Sequence, residues 1–238
     1  MRDFGQDRRQ LDVSTERLLA DVALLADADV TADSQLPGWT RGHVLAHIEG
    51  NARGLDRLVR WATDGVERPM YISREVRSAD VELDAGRTAA HHLQAVTSSA
   101  HDMAVHLANL TEDRLEVSVV LGNGLTKTAG ELALHRLQEV CVHHADLGLA
   151  SYTYRDWPDL MCEGMLVNVT GDFASRGDFP VNWVETDVGV RYPILGDDGP
   201  GVRGTRQAVL AWILGRRPDP ADLTAVGIAT VPDAPTWR

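Results

Sequence analysis

Apolar residues recur at helical spacing through most of the first 150 positions. Between about 6 and 27, Leu11, Val13, Leu18, Leu19, Val22, Leu24 and Leu25 fall near a 3.6-residue period and predict a first helix. Asp-rich sequence from Asp27 to Pro37-Gly38 reads as a loop. Thr40 is a natural N-cap for a second helix running to about Thr63, with Val44, Leu45, Ile48, Ala52, Leu55 and Leu58 as its stripe. Residues 64–84 hold Gly65, Pro69 and several charges. They read as a long connection, and a connection of that length in a small domain is often functional. A third helix is expected over about 85–110, through Ala89, Leu93, Val96, Met103 and Leu107. A polar connection or short hairpin follows over 111–126. Thr128 with Glu131 fits a capping box that opens a fourth helix, which carries Leu132, Leu134, Leu137, Val140 and Cys141 and stops near Gly148.

The pattern changes after Gly148. Residues 158–175 read as a helix. Val181–Thr186 and Val188–Ile194 read as two strands around a tight turn, and Gly196–Gly204 as a loop. Thr205 caps a last helix that stops at Gly215. Four helices of about 20 residues, each about 30 Å long, suffice for an all-α four-helix bundle. The expected architecture is that bundle over 1–152, followed by a small α+β domain over 153–238.

Composition narrows the function. The net charge of -12 repels phosphate backbones and argues against nucleic acid as a partner. No apolar run approaches the ~18–20 residues that cross a bilayer. Met1 to Gln6 lack the basic-then-apolar layout of a signal peptide. Two cysteines, Cys141 and Cys162, suggest no disulfide framework and read as small buried residues. The cytoplasm is the simplest compartment, and a monomer or small homo-oligomer is expected.

The candidate chemistry lies on the second and fourth helices. Glu139 and His143 are four apart, so their side chains share one helix face and can chelate one ion. His47, mid-way along the second helix, is placed to supply a third ligand. Two imidazoles and a carboxylate suit zinc and leave a fourth position open; nickel or iron would also accept the set. Spacing alone leaves the alternative of a solvated helix face. His43, His91, His92, His101, His106, His135 and His144 are competing ligands or plain surface groups. Asp146, one turn beyond His143, is either an acceptor for that imidazole or a helix-end charge. Arg216 and Arg217, just past the last helix, either satisfy its dipole or recognise a carboxylate. Arg191, at a strand end, invites the same two readings.

Particular stretches add a resemblance. Leu36-Pro37-Gly38-Trp39-Thr40 with Val44-Leu45-Ala46-His47 resembles the approach to the second helix in DinB-like metal-binding bundles. Leu137-Gln138-Glu139-Val140-Cys141-Val142-His143, then Asp146-Leu147, resembles the fourth helix of the mycothiol-dependent maleylpyruvate isomerase family. Trp61-Ala62, Gly65, Pro69-Met70-Tyr71-Ile72-Ser73 and Arg77, with Arg191-Tyr192-Pro193 and Gly215-Arg216 further on, resemble the isomerase itself. The resemblance implies zinc on His47, Glu139 and His143. It also implies Arg216 in the active site, Arg191, Tyr71 and Arg77 toward substrate, and Asp146 behind His143. The implied reaction turns maleylpyruvate into fumarylpyruvate in aromatic breakdown through gentisate. A low-molecular-weight thiol, mycothiol, would act as a borrowed nucleophile that adds to the double bond, lets it turn, and leaves. Two other readings use the same residues: a mycothiol S-transferase acting on an electrophile, and a non-catalytic metal- or thiol-binding sensor. The stretch from Pro69 to Arg77 favours the isomerase.

Overall fold

The computed structural model describes residues 3–237. Its chain divides into two compact units, Met1–Ser151 and Tyr152–Arg238. It is mostly helical with two small sheets. Among the described residues no helix is long and apolar enough to cross a membrane.

The first unit contains α1 (Phe4–Val22), α2 (Asp27–Val30), α3 (Arg41–Asp64), α4 (Arg74–Ala85), α5 (Ala89–Ala108), the hairpin β1 (Ser118–Val120) and β2 (Thr126–Thr128), and α6 (Leu132–Asp146). α3 packs against α5, α6 and α4, while α1 packs against α6 and α5. That central position explains why nearly every side chain in the first half of α3 is buried, polar ones included. Leu11, Leu18 and Val22 turn inward from α1, whereas Val13 and Leu24 are exposed. α1 ends at Val22, sooner than its apolar pattern suggests, because the backbone tightens there: Leu24 N–H donates to Asp21 and Leu25 N–H to Val22. Thr40 caps α3, its Oγ accepting from His43 N–H. The Thr128–Glu131 capping box is present, and it opens a 3₁₀ turn over Ala129–Glu131 that leads into α6.

Two expected connections prove to be structured: the Asp27–Gly38 loop opens with the single turn of α2, and the longer one holds a full helix. Residues 74–85, expected within a loop, form α4, capped by Ser73 through the Val76 N–H. The helix is easily missed because it is dominated by charges and buries only Val81 and Ala85. Good local propensity and two inward side chains suffice when α3 offers a surface to pack on.

The second unit contains α7 (Asp159–Arg176), β3 (Trp183–Thr186), β4 (Arg191–Pro193), β5 (Gly201–Gly204), α8 (Arg206–Ile213) and β6 (Leu223–Val226). Strand order is β4-β3-β5-β6, with β3 and β5 parallel and the other pairs antiparallel. β5 replaces part of the expected loop over Gly196–Gly204, and β6 lies beyond the last element expected from the sequence. Neither carries a strand-like hydrophobic alternation. Gly201 sits opposite Trp183, and a Cβ there would lie 2.4 Å from the indole ring, so the strand needs glycine for a tertiary reason. α8 packs on β3 and β5, and α7 on β4 and α8, around a core that includes Phe173, Phe179, Val184 and Ile213.

Candidate metal centre

α3 and α6 bring three side chains to one point. His47 Nε2 lies 3.1 Å from Glu139 Oε2 and 3.0 Å from His143 Nε2, and His143 Nε2 lies 3.5 Å from the same carboxylate oxygen. One ligand atom from each falls within 4.8 Å of the others. A tetrahedral ion held about 2.0–2.1 Å from each donor spaces its donors by about 3.3 Å, so the observed separations fit one ion with no change of backbone. Glu139 and His143 share the α6 face by their four-residue spacing. His47 faces them because α3 packs against α6.

Hydrogen bonds around the donors assign ring protons. Asp146, buried at the end of α6, accepts from His143 Nδ1–H at 2.9 Å, which leaves Nε2 as the ring atom that faces the group. His47 differs. Arg77 Nη2 lies 2.8 Å from His47 Nδ1, and a guanidinium can only donate. Nδ1 is therefore the acceptor, and the proton of the neutral ring lies on Nε2, where Glu139 receives it.

The electrostatics agree with a ligand group. Burial, reinforced by His143 and only partly offset by Glu139, lowers the His47 pKa to about 4, so this ring is neutral at ordinary pH. Burial opposes ionisation of Glu139, but hydrogen bonds from His143 and His47 hold its carboxyl well below the usual range. Burial also works against charging His143, yet Asp146 and Glu139 outweigh it and raise that pKa.

A cavity of about 350 Å³ opens beside His47, between α3 and the segment from Met70 through α4. Tyr71 and Arg77 line it, with Arg57 on the facing wall. Tyr71 reaches its place by close approach to the hairpin loop: a Cβ on Gly122 would sit 2.7 Å from the Tyr71 ring. Arg77 lies over the same ring, 5.6 Å from its centre. Burial raises the Tyr71 pKa, so the phenol stays protonated. Trp39 lies against the imidazoles, edge-on to His47 at 5.8 Å and stacked on His43 at 6.1 Å.

Several of the remaining candidates have other partners. His43 accepts the Thr40 N–H and faces Glu82. His106 pairs with Asp56, and buried His144 pairs with Asp21. His135 Nε2 stands 4.0 Å from Glu139 Oε1, the oxygen turned away from the other two ligands. Arg191 and Arg216 belong to the second unit. Arg191 stacks 3.8 Å from the centre of the Trp183 ring and donates twice to Glu185. Arg216 follows the close of α8, its N–H donating to Ala211 and its Nη1 to Leu214. Trp39 stood out in the sequence only as part of a motif, and Arg57, which lines the cavity, and Arg136 did not stand out at all. Arg136 left a usable signal, since it stands four residues from both Leu132 and Val140 on the apolar face of α6.

A helical unit that gathers two imidazoles and a carboxylate around one point, in a chain with a separate α+β unit, defines a class of candidate metal-dependent proteins. The chain belongs to the mycothiol maleylpyruvate isomerase family: the profile of that family's N-terminal domain matches residues 11–148. Two solved structures share the fold across both chains. One is the mycothiol-dependent maleylpyruvate isomerase, 26% identical, with a TM-score of 0.92 over 99% of this chain and 98% of that one. The other is a histidine-to-alanine mutant of that isomerase, 26% identical, with a TM-score of 0.91 and the same coverage. No curated protein matches the sequence.

Proposed function

We propose that the protein is a zinc- and mycothiol-dependent isomerase that converts maleylpyruvate to fumarylpyruvate. The observation that carries this reading is the convergence of His47, Glu139 and His143 in a chain of this family. Those three residues would hold the ion. Zinc suits the donor set best, though nickel or iron can occupy it. When bound, the ion supplies a Lewis-acidic position where a thiol of pKa about 8.5 ionises, and the thiol supplies the nucleophile that lets a double bond turn.

The chain's own residues do the rest. Asp146 orients His143 and fixes its tautomer. Arg77 and Arg57 offer guanidinium forks to a dicarboxylate in the cavity, a local positive patch in a protein of net charge -12. Tyr71 supplies a protonated hydroxyl, and Met70, Ile72 and Val76 give the cavity an apolar wall against water. Arg216 would serve the same reaction, as the likeness of Gly215-Arg216 to the family implies. The Arg191 guanidinium is already engaged by Glu185 and Trp183, so we assign it second place. A reduced thiol cofactor and two buried cysteines that form no disulfide suit a cytoplasmic setting.

The test follows maleylpyruvate absorbance with zinc-loaded protein, with and without mycothiol. Thiol-dependent conversion to fumarylpyruvate is expected, with loss of both metal and activity in His143→Ala and loss of activity in Arg216→Ala. A stable thioether product would make the protein a transferase. Full activity in metal-free His143→Ala would overturn the reading.

A further inference from the structure

Arg136 is a cation inside the helical core. It is 2% exposed, and no ion pair with a carboxylate falls within salt-bridge distance among the described residues. Burial lowers its pKa to about 10, with Glu139 and Tyr71 opposing the shift, so the guanidinium remains charged at neutral pH. An unpaired buried charge is costly, and an apolar side chain of similar volume would fill the space at no such cost. The contacts offset part of that cost through Nη1, while Nη2 is buried with no hydrogen-bond partner among the described residues. Nη1 donates to the Ile48 carbonyl at 2.9 Å and to Asn51 Oδ1 at 2.8 Å. Both acceptors are on α3, and Ile48 is the neighbour of His47. On its own helix, Arg136 stands three residues before Glu139, so the two side chains lie on adjoining turns.

We propose that Arg136 is a positioning residue for the metal ligands, locking the α3 turn that carries His47 to the α6 turn that carries Glu139 and placing a fixed positive charge behind that carboxylate. Arg136 touches neither the cavity nor the ligand atoms of the imidazoles; it acts through the residues that do. The geometric part follows from its bond to a backbone carbonyl next to His47, which ties the helix itself rather than a side chain. The electrostatic part follows from the three-residue spacing: a buried guanidinium one turn from the carboxylate interacts with its charge, so the carboxylate gives up less to an ion and that ion stays more electrophilic toward an incoming thiolate. The inference rests on the metal reading of His47, Glu139 and His143.

The experiment titrates metal-free protein with cobalt(II) alone, reading affinity by chelator competition and geometry by the visible d–d bands. Wild type, Arg136→Met, Arg136→Lys and Asn51→Ala are compared, with thermal unfolding recorded for each. Residues that support metal ligands typically change affinity 10–100-fold, and that loss is expected for Arg136→Met together with displaced bands. Arg136→Lys, which keeps the charge but not the two-acceptor hold, should recover part of the affinity. Asn51→Ala, which removes one acceptor and keeps the charge, should lose affinity about five-fold, the worth of one hydrogen bond. It also carries the test if Arg136→Met fails to fold. A Met variant that unfolds earlier yet binds cobalt with wild-type affinity and bands would overturn the proposal and leave the metal site standing. Wild-type affinity and bands in Asn51→Ala and Arg136→Lys would overturn it equally. Failure of wild type to bind cobalt would overturn both the proposal and the metal reading.

Discussion

Arg77 and a metal ion compete for the protonation state of His47. In the structure the guanidinium donates to Nδ1 at 2.8 Å, which places the ring proton on Nε2. Coordination through Nε2 requires the reverse tautomer, with the proton on Nδ1 facing the guanidinium. Two donors cannot share that hydrogen bond, so Arg77 must leave before His47 becomes a ligand. A hydrogen bond to a charged group contributes about 1.5–3 kcal/mol net, and Arg77 is half-buried, so the lower part of that range applies. Repulsion between guanidinium and dication adds to it in the same direction. Removing the guanidinium as Arg77→Met should therefore tighten metal binding about ten-fold, since about 1.4 kcal/mol is one decade. Chelator competition with metal-free protein at pH 7.5 measures this directly. Nitrogen NMR of the His47 ring gives a second readout: Nδ1 is unprotonated in metal-free wild type and gains its proton when metal binds. Turnover should fall in the same variant, because the displaced guanidinium is the group offered to substrate. Weaker or unchanged metal affinity in Arg77→Met would refute the tautomer argument.

Three other outcomes follow from the site and its core. Asp146→Ala removes the acceptor that fixes His143, and metal affinity should fall 10–100-fold, measured by the same competition. Metal binding should also release protons in a defined window. Glu139 is already ionised and His47 already neutral at neutral pH, while His143 has a raised pKa and takes up a proton first as pH falls. Calorimetry in buffers of different ionisation enthalpy should show release approaching one proton below the ordinary histidine range and vanishing well above it; release of two protons at pH 6 would contradict the low His47 pKa. Leu55→Ala, at a fully buried position of α3, should cost about 2–5 kcal/mol of stability by denaturant titration, and less than 1 kcal/mol would mean the helix is not central to the core.

Much of the architecture is local and was legible in the chain. The periods of α3, α5 and α6, the Thr40 and Thr205 caps, the Gly215 stop and the hairpin formed by β3 and β4 all depend on residues within a turn or two of one another. β5 and β6 were not legible, because four-residue strands such as Gly201–Gly204 carry no pattern of their own and exist only against β3. α4 lacked an apolar stripe for the same reason: its burial is decided by the surface of α3.

The site divides along the same line. Glu139, His143 and Asp146 were readable as a group because helical geometry places residues three and four apart on one face, whatever the rest of the fold does. His47 lies 92 positions from Glu139, and no local rule sets the rotation of α3 about its axis; the packing of the whole core does. The same holds for Arg77 on His47, for Trp39 against the ring edge and for Arg136 against Ile48 and Asn51 of α3. By itself the chain determined the long helices that carry the donors and which donors share a face. Only tertiary packing decided which faces meet, because a hydrophobic stripe specifies an inward direction and leaves open the partner and register it will find there.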